Sequence, residues 1–380
     1  MYRNLDDLIP YHKAGLKHAP WAGSYWPRYK DGINFQWNPQ EPSPAEKYAT
    51  AAGLDVKAFM DAVSKRSGVL RHSTDKRCSD DSDDSECGGD GMRCGVRAGE
   101  SSGYCIDEYP GICHAWAVAA IAEFEPKCAV TWNGVTFQAF DIKALVSQMY
   151  DGAELRTIVT GTQCRQDDDT VDKYGRFTDA IRRDISPAVL HIALLNAMGR
   201  FNKGLVLDID PATPVWNHPV TSYEILQLHE LDEDYVTTHM FPGDHYPFNK
   251  DAKSFAYVLL QVTWASKTDD PRVAEVDRRA ETSYNYYEYL LELDAHRNII
   301  GGEWLRRTQQ DHPDILWFPT HTPEAHKQTS IGMKYTNIQY LIKHSTHCDT
   351  PTPASTPSPT PAPTPAPTPA PTPAPTPAPT

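Results

Sequence analysis

Apolar residues in the C-terminal half of the body fall in short runs rich in β-branched and aromatic side chains. SFAYVLLQVTWA (254–265), YNYYEYLLELD (284–294), NIIGGEW (298–304) and DILWFP (314–319) predict strands of one antiparallel sheet. Ala295–His296–Arg297 is short enough to close a hairpin between two of them. GLVLDID (204–210) predicts a buried strand, and 215–228 an extended opening pinned by Pro219 that runs into an alternating strand. Helical spacing dominates the other half. Residues 44–65 predict a helix interrupted near Gly53–Leu54, and 141–151 an amphipathic helix. Between them AWAVAAIAEF runs apolar and alanine-rich to Pro126, which predicts a buried helix whose first turn contains Cys113. Residues 130–137 predict a strand, and an acidic, glycine-containing loop follows helix 141–151 to about Asp184. SPAVLHIALLNAMGR (186–200) is helical by length, with a strand as the alternative. The pattern is therefore α+β, with helices gathered toward the N-terminus and a mostly antiparallel sheet toward the C-terminus.

Residues 15–38 break this regularity. Trp21, Tyr25, Trp26, Tyr29, Phe35 and Trp37 crowd a stretch in which Pro20 and Pro27 oppose a helix. It is expected to pack flat on the body as aromatic core filler, with an aromatic substrate-contacting surface as the alternative. Four of the eight cysteines (Cys78, Cys87, Cys94, Cys105) lie in a loop of Gly, Ser and Asp that cannot build a core. Two local disulfides are expected there. Zinc is the competing interpretation, but no close CxxC pair is present. If Cys113 stays a thiol, then Cys128, Cys164 and Cys348 leave one cysteine without a partner. Disulfides imply an oxidising compartment. Of the 32 prolines, 14 fall in the last 32 residues. That Thr/Pro repeat favours an extended polyproline II rod with the composition of an O-glycosylated, wall-associated stalk, against the alternative of a meaningless extension. The segments expected are an N-terminal aromatic and helical part (1–70), a Cys-rich acidic loop (71–110), a catalytic core (111–348) and the tail (349–380). The opening MYRNLDDLIPYHK is not a signal peptide, and a longer precursor is expected.

The formal net charge is −14. No basic excess exists to displace counterions, which argues against nucleic acid as the partner. No apolar run reaches the length of about 18 residues that a membrane-spanning helix needs, so no membrane partner is expected.

Cys113 is the sharpest chemical signal. A thiol at a helix N-terminus sees the positive end of the helix dipole and loses its proton more readily. GICHAWA resembles the segment around papain-like nucleophiles, in which the nucleophile sits on a central helix and its base on the facing sheet. The alternative is a structural cysteine bridged to Cys128 or Cys164. His191, a titratable group in an apolar run, is the first choice of base, and His312, opening a strand, is the second. His114 follows the nucleophile by about 100° of helical turn and is expected to face away from it. Asp208 is the expected orienter, with Asp210 as the spare. The oxyanion site is incomplete. Papain-like enzymes carry a Gln six residues before the nucleophile, where this chain has Asp107. The Cys113 N–H would be one donor, and the other is unassigned.

VWNHPVTSYEIL (215–226) is similar to the elicitor segment of oomycete calcium-dependent transglutaminases, whose pattern is VWNQPVxxxxxY. PWAGSYWPRYKDGIN (20–34), GICHAWAVAAI (111–121), NGVTFQAFDIKALVSQMYDGA (133–153), the SPAVLHIALLN run and GGEWLRRTQQDHPDILWFP (301–319) resemble the same family in order along the body. The resemblance implies a secreted enzyme with a papain-like core that joins protein glutamine to lysine. It also implies calcium as cofactor, protein substrates, and a plant receptor that reads Val215, Trp216, Asn217 and Pro219. A monomer is expected. Cys113 matches the family's nucleophile, and His191, Asp208 and His312 fall at shared positions. His218 stands where the pattern has Gln, which excludes it as a family base and puts elicitor activity of this particular segment in question. Asp80–Asp84 and Asp167–Asp169 are the oxygen-rich candidates for calcium. Trp116, Trp216 and Trp304 are candidates for lining a channel to the acceptor amine. The competing functions are a papain-like cysteine peptidase, which shares the first half of the chemistry, and an inactive wall protein.

Overall fold

Strand and helix boundaries follow local signals that the chain carries in plain form. Ser43 caps helix α2 (Pro44–Ala52) from the front, Pro44 opens it, and Gly53 ends it in the left-handed region at φ 67°. Asp55 then caps α3 (Val56–Ser67), accepting from the Ala58 N–H at 2.7 Å. The predicted interruption is thus two caps placed back to back. The same Ser-Pro signal settles 186–200 as helical. Ser186 caps α6 (Pro187–Leu194), which continues as a wider turn over Leu195–Arg200.

The computed structural model describes residues 1–79, 84–89, 91–163, 170–209, 211, 214–268 and 281–348. All but the last residue of the acidic run 80–84, the run 167–169, Asp210, Cys164 and the tail 349–380 lie outside the described residues. The other helices are α1 (Leu5–Leu8), α4 (Cys113–Ala122), α5 (Ala139–Gly152), α7 (Glu233–His239) and α8 (Tyr335–Thr346). The strands are β1 (Lys13–Gly15), β2 (Arg77–Cys78), β3 (Met92–Gly95), β4 (Gly103–Asp107), β5 (Val130–Trp132), β6 (Val135–Phe137) and β7 (Thr157–Gly161). They continue with β8 (Val206–Asp208), β9 (Asn217–Leu231), β10 (Ser254–Ala265), β11 (Thr282–Leu293), β12 (Ile299–Trp304) and β13 (Ile315–Pro319).

The main sheet runs β12-β11-β10-β9-β8-β13-β7, with β1 also paired to β9. Every pairing in it is antiparallel, as expected for the four strands read from sequence. β9 is the organiser. Its first three residues pair with β8, Ser222–Glu224 pair with β1, and β10 lies along its other edge with two register shifts that bend the sheet. One apolar core holds α2–α5, α8 and the N-terminal aromatics; a second lies under the sheet with α1 and α6.

Two elements were not legible as expected. β7 falls in the stretch assigned to loop, because its Ile158 and Val159 are both exposed and no buried alternation marks it. α8 was assigned no element, although Tyr335, Ile338, Leu341, Ile342 and Ser345 bury one helical face.

The disulfides are Cys78–Cys94 and Cys87–Cys105, which staple β2–β4, and Cys128–Cys348. Sulfur in the Cys-rich loop is therefore committed to bridges and not to zinc. The Cys128–Cys348 bridge, reinforced by reciprocal Ser345 hydrogen bonds to the Cys128 backbone, ties the end of α8 to the segment after α4. Replacing both cysteines of that bridge by serine is expected to cost about 2–5 kcal/mol, read as a lower midpoint in denaturant unfolding. An unchanged midpoint would show that packing of α8 alone holds this end.

Candidate active site

The turn before α4 is set by a close backbone approach. A Cβ on Gly111 would lie 2.3 Å from the Tyr25 carbonyl oxygen, so no side chain fits there. The next residue, Ile112, donates its N–H to that same oxygen at 2.7 Å. Ile112 is non-helical (φ −116°, ψ 37°), and no side chain caps the turn. The helix therefore opens at Cys113 with its first N–H groups turned toward the site.

Cys113 is 7% exposed and is the free thiol among the described residues. Two groups at and just before the start of β9 face it: the Val215 carbonyl at 3.8 Å and the Asn217 Nδ2 at 3.7 Å. Asn217 is held by Trp317, whose indole N–H donates to its Oδ1 at 2.7 Å. An indole N–H only donates, so the Asn217 carboxamide turns its NH₂ to the sulfur.

The imidazole beside the thiol belongs to its neighbour in sequence. His114 Nε2 lies 3.2 Å from Asp151 Oδ1, and the ring's hydrogen bond and charge reach Cys113. Asp151, at the end of α5, is fixed in turn by Arg66, through both its carboxylate and its backbone carbonyl, and by Gln148 Nε2 at 3.2 Å. Burial pushes the Cys113 thiol up. The His114 hydrogen bond and charge, then Asn217, outweigh it, and the thiol lies below its ordinary value. Lost hydration pulls His114 down, but Asp151 and the thiolate push it up to about 9. Burial raises Asp151, and His114 with Arg66 brings it below the usual carboxylate value. The two shifts run in the directions that favour a thiolate beside an imidazolium. Arg28 adds positive field. Its guanidinium, lowered by burial and by Arg71, interacts favourably with Asp151 and Cys113.

The structure does not bring the expected bases to this thiol. His191 lies in the core under the sheet, where α6 packs on β11 and β12. Its Nδ1 bonds Tyr289 Oη at 2.8 Å, and burial pushes it down to about 3. His312 is buried between Trp304 and Phe177 and is pushed down to about 4 by burial. Asp208 is close to the site but serves the chain. Its Oδ1 accepts the Trp216 backbone N–H at 2.7 Å and so holds the 215–217 segment against Cys113. His218 bonds the Ala265 carbonyl at 3.1 Å and is pushed down to about 4 by burial. Of the tryptophans, Trp116 is core and Trp304 belongs to the second core, whereas Trp216 is half-buried beside the thiol and stands edge-on to Tyr25.

His114 and Asp151 were not expected at this thiol, because adjacent helical residues stand about 100° apart, yet the His114 ring reaches Cys113 across that offset. The available signal was the His directly after the thiol, with a carboxylate closing the next amphipathic helix.

The family model described as Transglutaminase elicitor matches residues 1–348. The crystal structure of the GP42 transglutaminase from Phytophthora sojae is similar to this chain, with a TM-score of 0.80 and 42% sequence identity. The match covers 92% of this chain and 94% of that one. No curated protein matches.

The couple gives a signed pH dependence. Iodoacetamide labelling of Cys113, read by peptide mapping, is expected to persist below the ordinary thiol range near about pH 8.5 and to fade as falling pH protonates the thiolate. His114→Gln removes the raised imidazolium and is expected to move the inflection up by about one unit or more, slowing labelling at neutral pH roughly tenfold. Asp151→Asn is expected to shift it part of the way. An inflection unmoved in His114→Gln would remove His114 from the couple.

Proposed function

This chain belongs to the transglutaminase elicitor family, and we propose that it is a protein-glutamine γ-glutamyltransferase working through a thioester on Cys113. The observation that carries the proposal is the lowered thiol at an uncapped helix N-terminus, coupled to His114–Asp151 and faced by a fixed Asn217 amide. The Cys113 thiolate attacks the carboxamide carbon of a substrate glutamine. The developing oxyanion is met by the first N–H of α4 and by Asn217 Nδ2–H, the donor that sequence left unassigned. His114, as imidazolium, gives its proton to the departing ammonia, and the thioester remains. A lysine amine then attacks. Its proton passes to the now neutral His114, and the thiolate leaves behind an isopeptide bond. Water in the amine's place would yield glutamate. In this mechanism His114 and Asp151 take the roles expected of His191 and Asp208.

The layout supports a papain-like logic, a thiol on a buried helix facing an antiparallel sheet, although its base comes from the helix itself. A secreted, wall-associated setting is supported by three disulfides among the described residues and by the Thr/Pro composition of the tail. Protein substrates follow from the family, and its description as an elicitor is what supports a plant receptor. Among the described residues the one cluster of three ligating side chains is Cys78, Cys87 and Cys105, which are disulfide-bonded, and the acidic candidates 80–83 and 167–169 lie outside the described residues, so no step is assigned to calcium.

Mass spectrometry on a glutamine peptide with excess primary amine, with and without calcium, tests the reaction. A mass gain of amine minus ammonia, absent in Cys113→Ala, is expected. Asn217→Ala is expected to lower kcat by about 10²–10³-fold while the protein stays folded. Cleaved peptide without an amine adduct would make the protein a peptidase. No product from folded, calcium-loaded protein would favour an inactive wall protein.

A further inference from the structure

The aromatic pair beside the nucleophile already carries a cation. Lys267 Nζ lies 3.3 Å from the centroid of the Trp216 ring and 4.9 Å from that of Tyr25. The two rings meet edge to face at 5.3 Å. Both are tied to the thiol's immediate surroundings. Tyr25 accepts the Ile112 N–H one residue before Cys113, and Trp216 follows the carbonyl that faces Sγ. The lysine is placed by its backbone: Lys267 bridges Gly23, and Thr268 donates to the Gly23 carbonyl at 2.9 Å. An exposed lysine is thereby pinned two residues from Tyr25 with its ammonium on the ring faces. Aromatic faces hold ammonium groups through their quadrupole and their apolar bulk takes an alkyl stem, which together match an alkyl-ammonium ligand.

We propose that the Tyr25–Trp216 pair is the binding face for the primary alkylammonium that becomes the acyl acceptor, and that Lys267 occupies this face as an internal competitor. The acceptor role rests on the thioester reaction proposed above. An incoming ammonium displaces Lys267 from the rings and sheds one proton to solvent. The neutral amine forms a C–N bond to the acyl carbon, the C–S bond breaks with its electron pair returning to Sγ, and the amine's second proton passes to His114. Lys267 thus sets how readily amines compete with water for the thioester.

The test uses the full chain with pentylamine as acceptor and pentyltrimethylammonium as an unreactive cation. Amine incorporation is scaled to ammonia release, so that losses in acylation or folding cancel. Lys267→Met is expected to lower the KM for pentylamine about 3–10-fold, while Lys267→Arg, which keeps the cation, stays near wild type. Pentyltrimethylammonium is also expected to shield Cys113 from iodoacetamide at severalfold lower concentration in Lys267→Met. An unchanged shielding concentration overturns the cation face. An unchanged or raised amine KM in an enzyme that releases ammonia overturns the acceptor role. Wild-type protein that releases no ammonia overturns the transferase instead, and the shielding assay still decides the cation face.

Discussion

The site depends on one close approach, the Tyr25 carbonyl against the Gly111–Ile112 turn. It leaves no room for a side chain at 111, holds Ile112 out of helical conformation, and so makes Cys113 the first residue of α4. The surrounding contacts extend this clamp. Trp116 donates to the Trp21 carbonyl at 3.2 Å, a Cβ on Gly23 would sit 2.6 Å from the Trp116 indole nitrogen, and Lys143 reaches the Ala22 carbonyl at 2.9 Å. The dense aromatic stretch expected as core filler is buried at Trp21, Tyr25 and Trp26, but its backbone also positions the Cys113 thiol. Aromatic bulk supplies the burial, and the irregular backbone between Pro20 and Pro27 turns the Tyr25 carbonyl to the Ile112 N–H.

Placing a thiolate there is a contest between burial and partners. Desolvation is the largest single influence on Cys113, and it opposes ionisation. Each pKa unit is worth about 1.36 kcal/mol between the two protonation states, so no single weak contact reverses a buried group. The reversal takes His114, Asn217 and the helix N-terminus together. His114 can hold its charge because Asp151 is itself kept ionised by Arg66. The chain of influence therefore runs from α3 through the end of α5 to the first turn of α4. This explains why helices in the N-terminal half surround a thiol whose other wall is the sheet.

Much of this was legible because the signals are local. The Gly53 break, the four sheet strands, the paired cysteines of the small loop and the thiol at a helix start each follow from a few adjacent residues. What was not legible depends on placement across the fold. His191 looked useful because a polar group in SPAVLHIALLN needs a partner, and it has one in Tyr289, nearly 100 residues away. Asp208 looked like an orienter and proved to hold a backbone N–H. β7 has no buried face to read. His114 stands about 100° around the helix from Cys113, and its long side chain still brings the ring to the sulfur.

The segment that resembles an elicitor is also a wall of the active site, and this bears on the His at 218. Asn217, His218 and Pro219 are buried and paired with β8, while Val215 and Trp216 keep partial exposure. Asn217 uses both ends of its carboxamide, accepting from Trp317 through Oδ1 and donating to sulfur through Nδ2. Position 218 is looser. His218 is neutral and makes one bond, from Nδ1 to the Ala265 carbonyl. A glutamine side-chain NH₂ can make that same donation. The departure from the family pattern therefore falls at a position whose one bond either side chain can make, beside a position that must accept and donate together. The order of constraint along the segment is set by the thiol it faces.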